Sequence, residues 1–163
     1  MDEKEYKPIF VSLIMTEIKL AVFDKDGTLL DSSPSTLKAH IQNLSNIASD
    51  EEAAELINNT LGYPPDRQYA IIRIAKERKL PVKDVIEHET RYAGDVARLQ
   101  NDTTTLQLVN NFWEIVKRVK VHPFPDTRDA LQMLHDTGFS MGISTGYRPD
   151  IVIAQLDTSD LTK

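Results

Sequence analysis

Two short apolar runs, Ile18-Lys19-Leu20-Ala21-Val22-Phe23 and Phe139-Ser140-Met141-Gly142-Ile143-Ser144, frame a long stretch with a different periodicity. That change of period restricts the fold more than any other feature. Short apolar runs that end in a polar turn suit buried strands of a parallel sheet. Parallel strands need a crossover between them, and this crossover holds far more than one helix. Leu37, Ile41, Leu44 and Ile47 form one helical stripe, and Ala53, Leu56, Ile57 and Leu61 a second. Further stripes follow at Tyr69, Ile72 and Ala75, at Val82, Val85 and Ile86, and at Leu106, Val109, Phe112, Trp113 and Val116. The spacing predicts four or five amphipathic helices. Gly62-Tyr63-Pro64-Pro65, Pro81 and Asn101-Asp102-Thr103 divide them, with Asp66 as a candidate N-cap.

After Val121-His122-Pro123-Phe124-Pro125, Asp126 can cap a helix over residues 127–135. Ala130, Leu131 and Leu134 are expected to face inward, with Gly138 at the stop. The second strand then runs to Thr145-Gly146, and Pro149 opens a last helix ending near Leu156. The expected fold class is α/β, a Rossmann-like parallel sheet interrupted by an α-helical module. Residues 1–31 and 122–163 make the discontinuous core, and residues 32–121 the insert. The core offers two clear strands, or three if residues 8–14 form one, against the five or so of an average sheet. It is therefore expected to be incomplete toward the C-terminus, with one edge of the first strand lacking a neighbour. Met15-Thr16-Glu17 leads straight into the first strand, so Met15 is an alternative start.

Composition removes several functions. Nineteen Lys and Arg against twenty-five Asp and Glu give a net charge of −6 over 163 residues. That balance argues against a nucleic-acid partner, which needs a basic face. The absence of cysteine excludes disulfides, Cys-ligated zinc and thiol nucleophiles, and it suits the cytoplasm. No run approaches the ~20 apolar residues of a membrane span. Residues 9–15 are too short, and they follow Asp2-Glu3-Lys4-Glu5, where a signal peptide carries positive charge.

The chemistry concentrates in Phe23-Asp24-Lys25-Asp26-Gly27-Thr28-Leu29-Leu30-Asp31. Two carboxylates sit two positions apart at the carboxyl end of a strand, where open α/β sheets bind ligands. Period-two alternation sends both to one side. Such a pair repels itself unless it shares a cation or a proton. Mg²⁺ takes hard oxygen ligands and keeps several waters, so it suits the pair. One carboxylate can attack phosphorus while the other moves a proton. Gly27 permits a sharp turn at positive φ, and Thr28 can bond the loop backbone and orient the first carboxylate.

Asp-x-Asp-Gly-Thr after an apolar run resembles the first motif of the haloacid dehalogenase-like (HAD) phosphohydrolases. The resemblance makes Asp24 the nucleophile that forms an aspartyl-phosphate, and Asp26 the general acid/base. It also places both at the Mg²⁺, Asp26 through its backbone carbonyl. Phe124-Pro125-Asp126, Gly138 and Met141-Gly142-Ile143-Ser144-Thr145 resemble the approach to the family's second motif. There Thr145, with Ser144 as its neighbour, would bond the transferring phosphoryl group, helped by the N–H of Gly146. The insert lies where the family places a helical type 1 cap, which would close over the site and select the substrate. The phosphoglycolate phosphatase and β-phosphoglucomutase branch matches best, over about residues 18–156. It implies a small phosphorylated metabolite as substrate.

The family's third motif, a Lys or Arg, and its acidic fourth motif should follow the second by several tens of residues. The chain continues for 18 residues past Thr145, with Asp150, Asp157 and Asp160 as its later acids, Arg148, and Lys163 as the final residue. Asp150 suits a helix N-terminus, Asp157-Thr158-Ser159-Asp160 a turn after a helix, and Arg148 a solvent-facing or capping role. The alternative expectation is therefore a non-catalytic remnant, or a fragment, that binds a phosphate ligand or a protein partner. His40, His88, His122 and His135 lack metal-ligand spacing and are expected to be structural or exposed. Phe112 and Trp113 read as core of the helical insert. Arg67, Arg73, Lys76, Arg78 and Lys79 read as a solvated helix face, with a contact to an anionic substrate as the alternative.

Overall fold

The computed structural model describes residues 19–161. The expected strand over residues 8–14 and the alternative start at Met15 lie outside the described residues. The chain opens with β1 (Leu20–Asp24) and a short β2 (Leu30–Asp31). Six helices follow: α1 (Ser33–Leu44), α2 (Asp50–Asn59), α3 (Pro65–Arg78), α4 (Val82–Glu87), α5 (Glu89–Gln100) and α6 (Thr103–Arg118). It closes with β3 (His122–Pro123), α7 (Thr127–Asp136), β4 (Ser140–Ser144) and α8 (Pro149–Thr158).

β1 and β4 pair in parallel, Leu20 with Ser140 through to Asp24 with Ser144. Among the described residues this sheet has two strands, so each has one neighbour. Leu20 and Val22 are both 59 % exposed, which is unusual for a strand of this composition. The segments entering and leaving the helical stretch are tied together. Leu30 pairs with Pro123 and Asp31 with His122, antiparallel. The six helices therefore begin and end at one point beside the sheet.

Local signals explain most helix boundaries. Ser49 and Glu52 form a capping box at the start of α2. The Asp102 side chain caps α6 by accepting from the Thr104 N–H. Gly138, at φ +82°, follows α7. Pro149 sits in the first turn of α8. Two expectations are corrected. Helix α3 starts from Pro64 rather than Asp66, because Pro64 is extended and Pro65 needs no N–H partner in the first turn. Asp66 lies inside that turn and accepts from Gln100 Nε2 at 2.9 Å. There are also six helices rather than four or five. His88 ends α4 and begins α5, and α5 rests on its own stripe of Tyr92, Val96 and Leu99.

The main core lies among these helices, around the fully buried Tyr69, Ile71, Ile72, Leu44, Leu56, Leu99 and Phe112. Ile151 of α8 joins it, which fastens the helical group to the α/β part. A second, smaller core gathers Leu29, Leu30 and Val121 with Phe23, Leu131 and Leu156. Helix α7 packs more loosely than its apolar pattern suggests. Ala130 is exposed, Leu131 and Leu134 are half-buried, and the buried residue is Thr127. The Thr127 hydroxyl is drawn in because it donates to the Leu29 carbonyl at 3.1 Å. Among the described residues no helix is long and apolar enough to cross a membrane.

The histidines take the structural or exposed places expected of them. His88, His122 and His135 are exposed. His40 is buried, with Nδ1 at 2.9 Å from the Tyr69 hydroxyl and its ring stacked on Phe112, centroids 4.1 Å apart. Burial pushes its imidazole down from 6.5 to about 3. The unfolded chain therefore takes up a proton that the native state refuses. Stability is fully present above the unfolded value and is lost as pH falls from there toward the folded value. We expect the unfolding free energy to drop by about 1.4 kcal/mol per pH unit on this account between about pH 6 and pH 4. Urea denaturation of the wild type and His40→Gln over that range checks it. Equal slopes in the two proteins would refute it.

Candidate active site

The site begins with the ladder. Because Asp24 pairs with Ser144, the carboxyl ends of β1 and β4 emerge side by side. Thr145 and Gly146 follow directly, so the register brings the second motif beside the first. Asp24 is exposed, and its side chain makes no hydrogen bond or ion pair among the described residues. Among the described residues it is an unpartnered carboxylate at a strand end.

The loop after Asp24 is closed by its own backbone. The Gly27 N–H donates to the Leu30 carbonyl at 2.9 Å, and the Leu30 N–H to the Lys25 carbonyl at 3.0 Å. Gly27 adopts φ +77°, a conformation that costs any other L-residue energy. Neither closing bond uses the carbonyl of Asp26, which remains available as an oxygen donor.

The environment of Asp26 is crowded. Its Oδ1 accepts from Lys25 Nζ at 2.5 Å and from Ser32 Oγ at 2.5 Å. Lys25 is completely buried. Its ammonium also donates to Gln155 Oε1 of α8 at 2.8 Å and lies 4.1 Å from the centroid of the Tyr147 ring. Burial pushes the Tyr147 hydroxyl up to about 12, with the charge of Asp26 adding to the effect and a hydrogen bond to Thr36 opposing it. That bond, Thr36 Oγ1 to Tyr147 Oη at 3.0 Å, ties α1 to the loop after β4. Trp113 of α6 stands edge-on to Tyr147, centroids 5.2 Å apart.

The other expected residues are distributed as follows. Thr145 is half-buried, and its Oγ1 accepts from the Tyr147 N–H at 3.2 Å. That leaves its hydroxyl proton free to donate to an anion. Gly146 and Thr28 are exposed, and the expected bond from Thr28 to the loop backbone is not made: its side chain has no hydrogen bond among the described residues, because backbone bonds already close the loop. Arg148 is engaged with Asp150 at 3.1 Å. Partial desolvation would raise the Asp150 carboxyl, but bonds from Lys117 and Arg148 hold it below the usual carboxylate range. Four of the five residues of the basic run form ion pairs, Arg67 with Glu89, Arg73 with Asp102, Lys76 with Glu52 and Arg78 with Asp95, and Lys79 is exposed. Phe112 and Trp113 are core, although Trp113 also meets the site through Tyr147. Among the described residues no group of three or more His, Cys, Asp or Glu could hold a metal. The oxygen donors at hand are the Asp24 carboxylate and the Asp26 carbonyl. They fit Mg²⁺, which binds through one or two protein oxygens and fills its shell with water.

Sequence reasoning passed over Ser32, Tyr147, Gln155 and the burial of Lys25. None carries a local signal, since each acquires its place through long-range packing. Tyr147 comes nearest to one, as an aromatic residue directly after Thr145-Gly146.

Residues 18–161 match the family model of the haloacid dehalogenase-like hydrolases. A phosphoglycolate phosphatase of Vibrio parahaemolyticus is 24 % identical over 147 residues, covering 90 % of this chain and 58 % of the relative. One from Pseudomonas fluorescens is 28 % identical over 138 residues, covering 85 % and 44 %. The chain thus spans about half the length of the curated relatives it matches. Among solved structures, a predicted phosphoglycolate phosphatase from Haemophilus somnus superposes with a TM-score of 0.56 at 18 % identity, over 89 % of this chain and 57 % of that one. CbbY from Rhodobacter sphaeroides gives 0.51 at 17 %, over 88 % and 57 %. These likenesses show the fold.

The Gly27 conformation gives a direct test of the loop. A Cβ added there meets nothing within 4 Å, so Gly27→Ala carries a backbone cost alone. We expect a loss of about 1–2 kcal/mol in urea denaturation. No loss would mean that the loop does not hold its left-handed turn in solution.

Proposed function

The chain belongs to the haloacid dehalogenase-like hydrolase family, and on that premise we propose that it is an Mg²⁺-dependent phosphohydrolase. Its substrate would be a small phosphate monoester of the phosphoglycolate kind. One observation carries the reading. Asp24 is an exposed carboxylate without a hydrogen-bond partner among the described residues, set beside the end of β4. A carboxylate so placed anchors nothing among the described residues and is free to act as a nucleophile.

The chemistry follows from the positions. An oxygen of Asp24 attacks phosphorus, and the bond from phosphorus to the leaving oxygen breaks. Asp26 gives that oxygen its proton, which releases the alcohol. Asp26 then takes a proton from water as the water attacks the aspartyl-phosphate. Phosphate departs, and Asp24 is restored. The Thr145 hydroxyl and the Gly146 N–H donate to the phosphoryl oxygens. The Asp24 carboxylate and the Asp26 carbonyl would hold Mg²⁺, which offsets the negative charge of the phosphoryl group. Residues 32–121 would act as the cap. Their two ends are joined at the β2–β3 pairing, which would set the base of the cap beside the site.

A second reading is a phosphate-binding protein without turnover. It is favoured by the absence of a third acidic ligand among the described residues and by the engagement of Arg148 with Asp150. Hydrolysis of p-nitrophenyl phosphate with and without Mg²⁺ separates the two. We expect Mg²⁺-dependent turnover that falls by at least ~10³-fold in Asp24→Asn. Equal turnover in the variant would sink the nucleophile assignment. Phosphate binding with no turnover in the wild type would favour the second reading.

A further inference from the structure

A lysine ordinarily keeps its ammonium in water and buries only its stem. Lys25 does the opposite: it is 0 % exposed. A buried ammonium is tolerated only where charge and hydrogen bonds compensate it. Here the compensation comes from three directions. Asp26 Oδ1 accepts at 2.5 Å, Gln155 Oε1 accepts at 2.8 Å, and the Tyr147 ring lies 4.1 Å away. The orientation of Gln155 is fixed too. Its Nε2 donates to the Val116 carbonyl at the end of α6, at 3.4 Å, so its oxygen must be the atom facing Lys25. Gln155 is itself buried, and no other acid reaches the ammonium among the described residues.

The carboxylate is held from its other side by the buried Ser32, whose Oγ donates at 2.5 Å. Both donors converge on the same oxygen, Oδ1. The Asp26 side chain as a whole remains 29 % exposed. We propose that Lys25 is a positioning residue: its buried ammonium, held by Gln155 and Tyr147, fixes Asp26 through Oδ1 and leaves Oδ2 as the oxygen that exchanges a proton with the substrate. This deepens the phosphohydrolase reading and rests on it for the role of Asp26. Two adjacent residues of the motif thus divide the work. Asp26 does the proton transfer, and Lys25 holds it where the transfer is productive.

The test uses the full chain with Lys25→Met, Gln155→Met and the double variant. Gln155 makes no hydrogen bond to Asp26; its side chain bonds Lys25 and the Val116 carbonyl, and the double variant separates these two routes. We expect Lys25→Met to lower kcat on p-nitrophenyl phosphate roughly tenfold to a hundredfold, with KM nearly unchanged. Gln155→Met should lower kcat too, and add nothing in the Lys25→Met background. Independent losses that multiply in the double variant would overturn the proposal. A second measurement needs neither turnover nor a folded Lys25 variant. In ¹⁵N spectra of the wild type, one lysine ammonium should exchange slowly with water, and its resonance should move in Asp26→Asn. If every ammonium exchanges fast, the proposal fails whatever the turnover. A wild type without turnover but with the slow ammonium would count against the phosphohydrolase reading alone and leave the anchoring supported.

Discussion

Where β1 and β4 pair in parallel, two segments from opposite ends of the described chain finish next to one another. Every other feature of the site depends on that ladder. It sets the end of β1, with Asp24, beside the end of β4, with Ser144 and then Thr145. Parallel pairing between such distant segments costs loop entropy. It is secured here by contacts outside the sheet. The β2–β3 pairing closes the long excursion of α1–α6 at its base, and Ile151 of α8 enters the helical core.

A second layer turns this proximity into a defined geometry. Tyr147 stands at its centre. Its hydroxyl meets Thr36 of α1, its ring packs T-shaped against Trp113 of α6, and its face lies against the Lys25 ammonium. The helical segment, the loop after β4 and the Asp24-to-Thr28 turn therefore share one aromatic side chain. A shift of α1 or α6 relative to the sheet would be felt at Lys25 and, through it, at Asp26. Asp24, the proposed nucleophile, is left outside this network.

The parts of this arrangement that local chemistry dictates were legible in the sequence. The apolar runs announce β1 and β4, and the glycine after Asp-x-Asp announces the left-handed turn at Gly27. Asp102, Gly138 and Pro149 mark helix ends through capping preferences that need only near neighbours. What escaped depends on distance. Nothing local announces the burial of Lys25, because one of the groups that holds it is Gln155, 130 positions away. The basic run is a largely solvated face as read, but its ion pairs escaped, because the acidic partners Glu52, Glu89, Asp95 and Asp102 lie on other elements or at their ends. Helix α5 escaped because its stripe is thin, and Asp66 lost the cap to Pro64 because two prolines already set the helix start.

The central claim is that Asp24 attacks phosphorus, and the most direct measurement is to catch the product of that attack. The protein is mixed with Mg²⁺ and a small phosphoryl donor such as acetyl phosphate, quenched in acid, digested and examined by mass spectrometry. The account predicts a phosphoryl group on the Asp24 carboxylate, removed by hydroxylamine and absent from Asp24→Asn. A phosphoryl group carried stably by Thr145 or by a histidine, or an adduct that survives in Asp24→Asn, would contradict it.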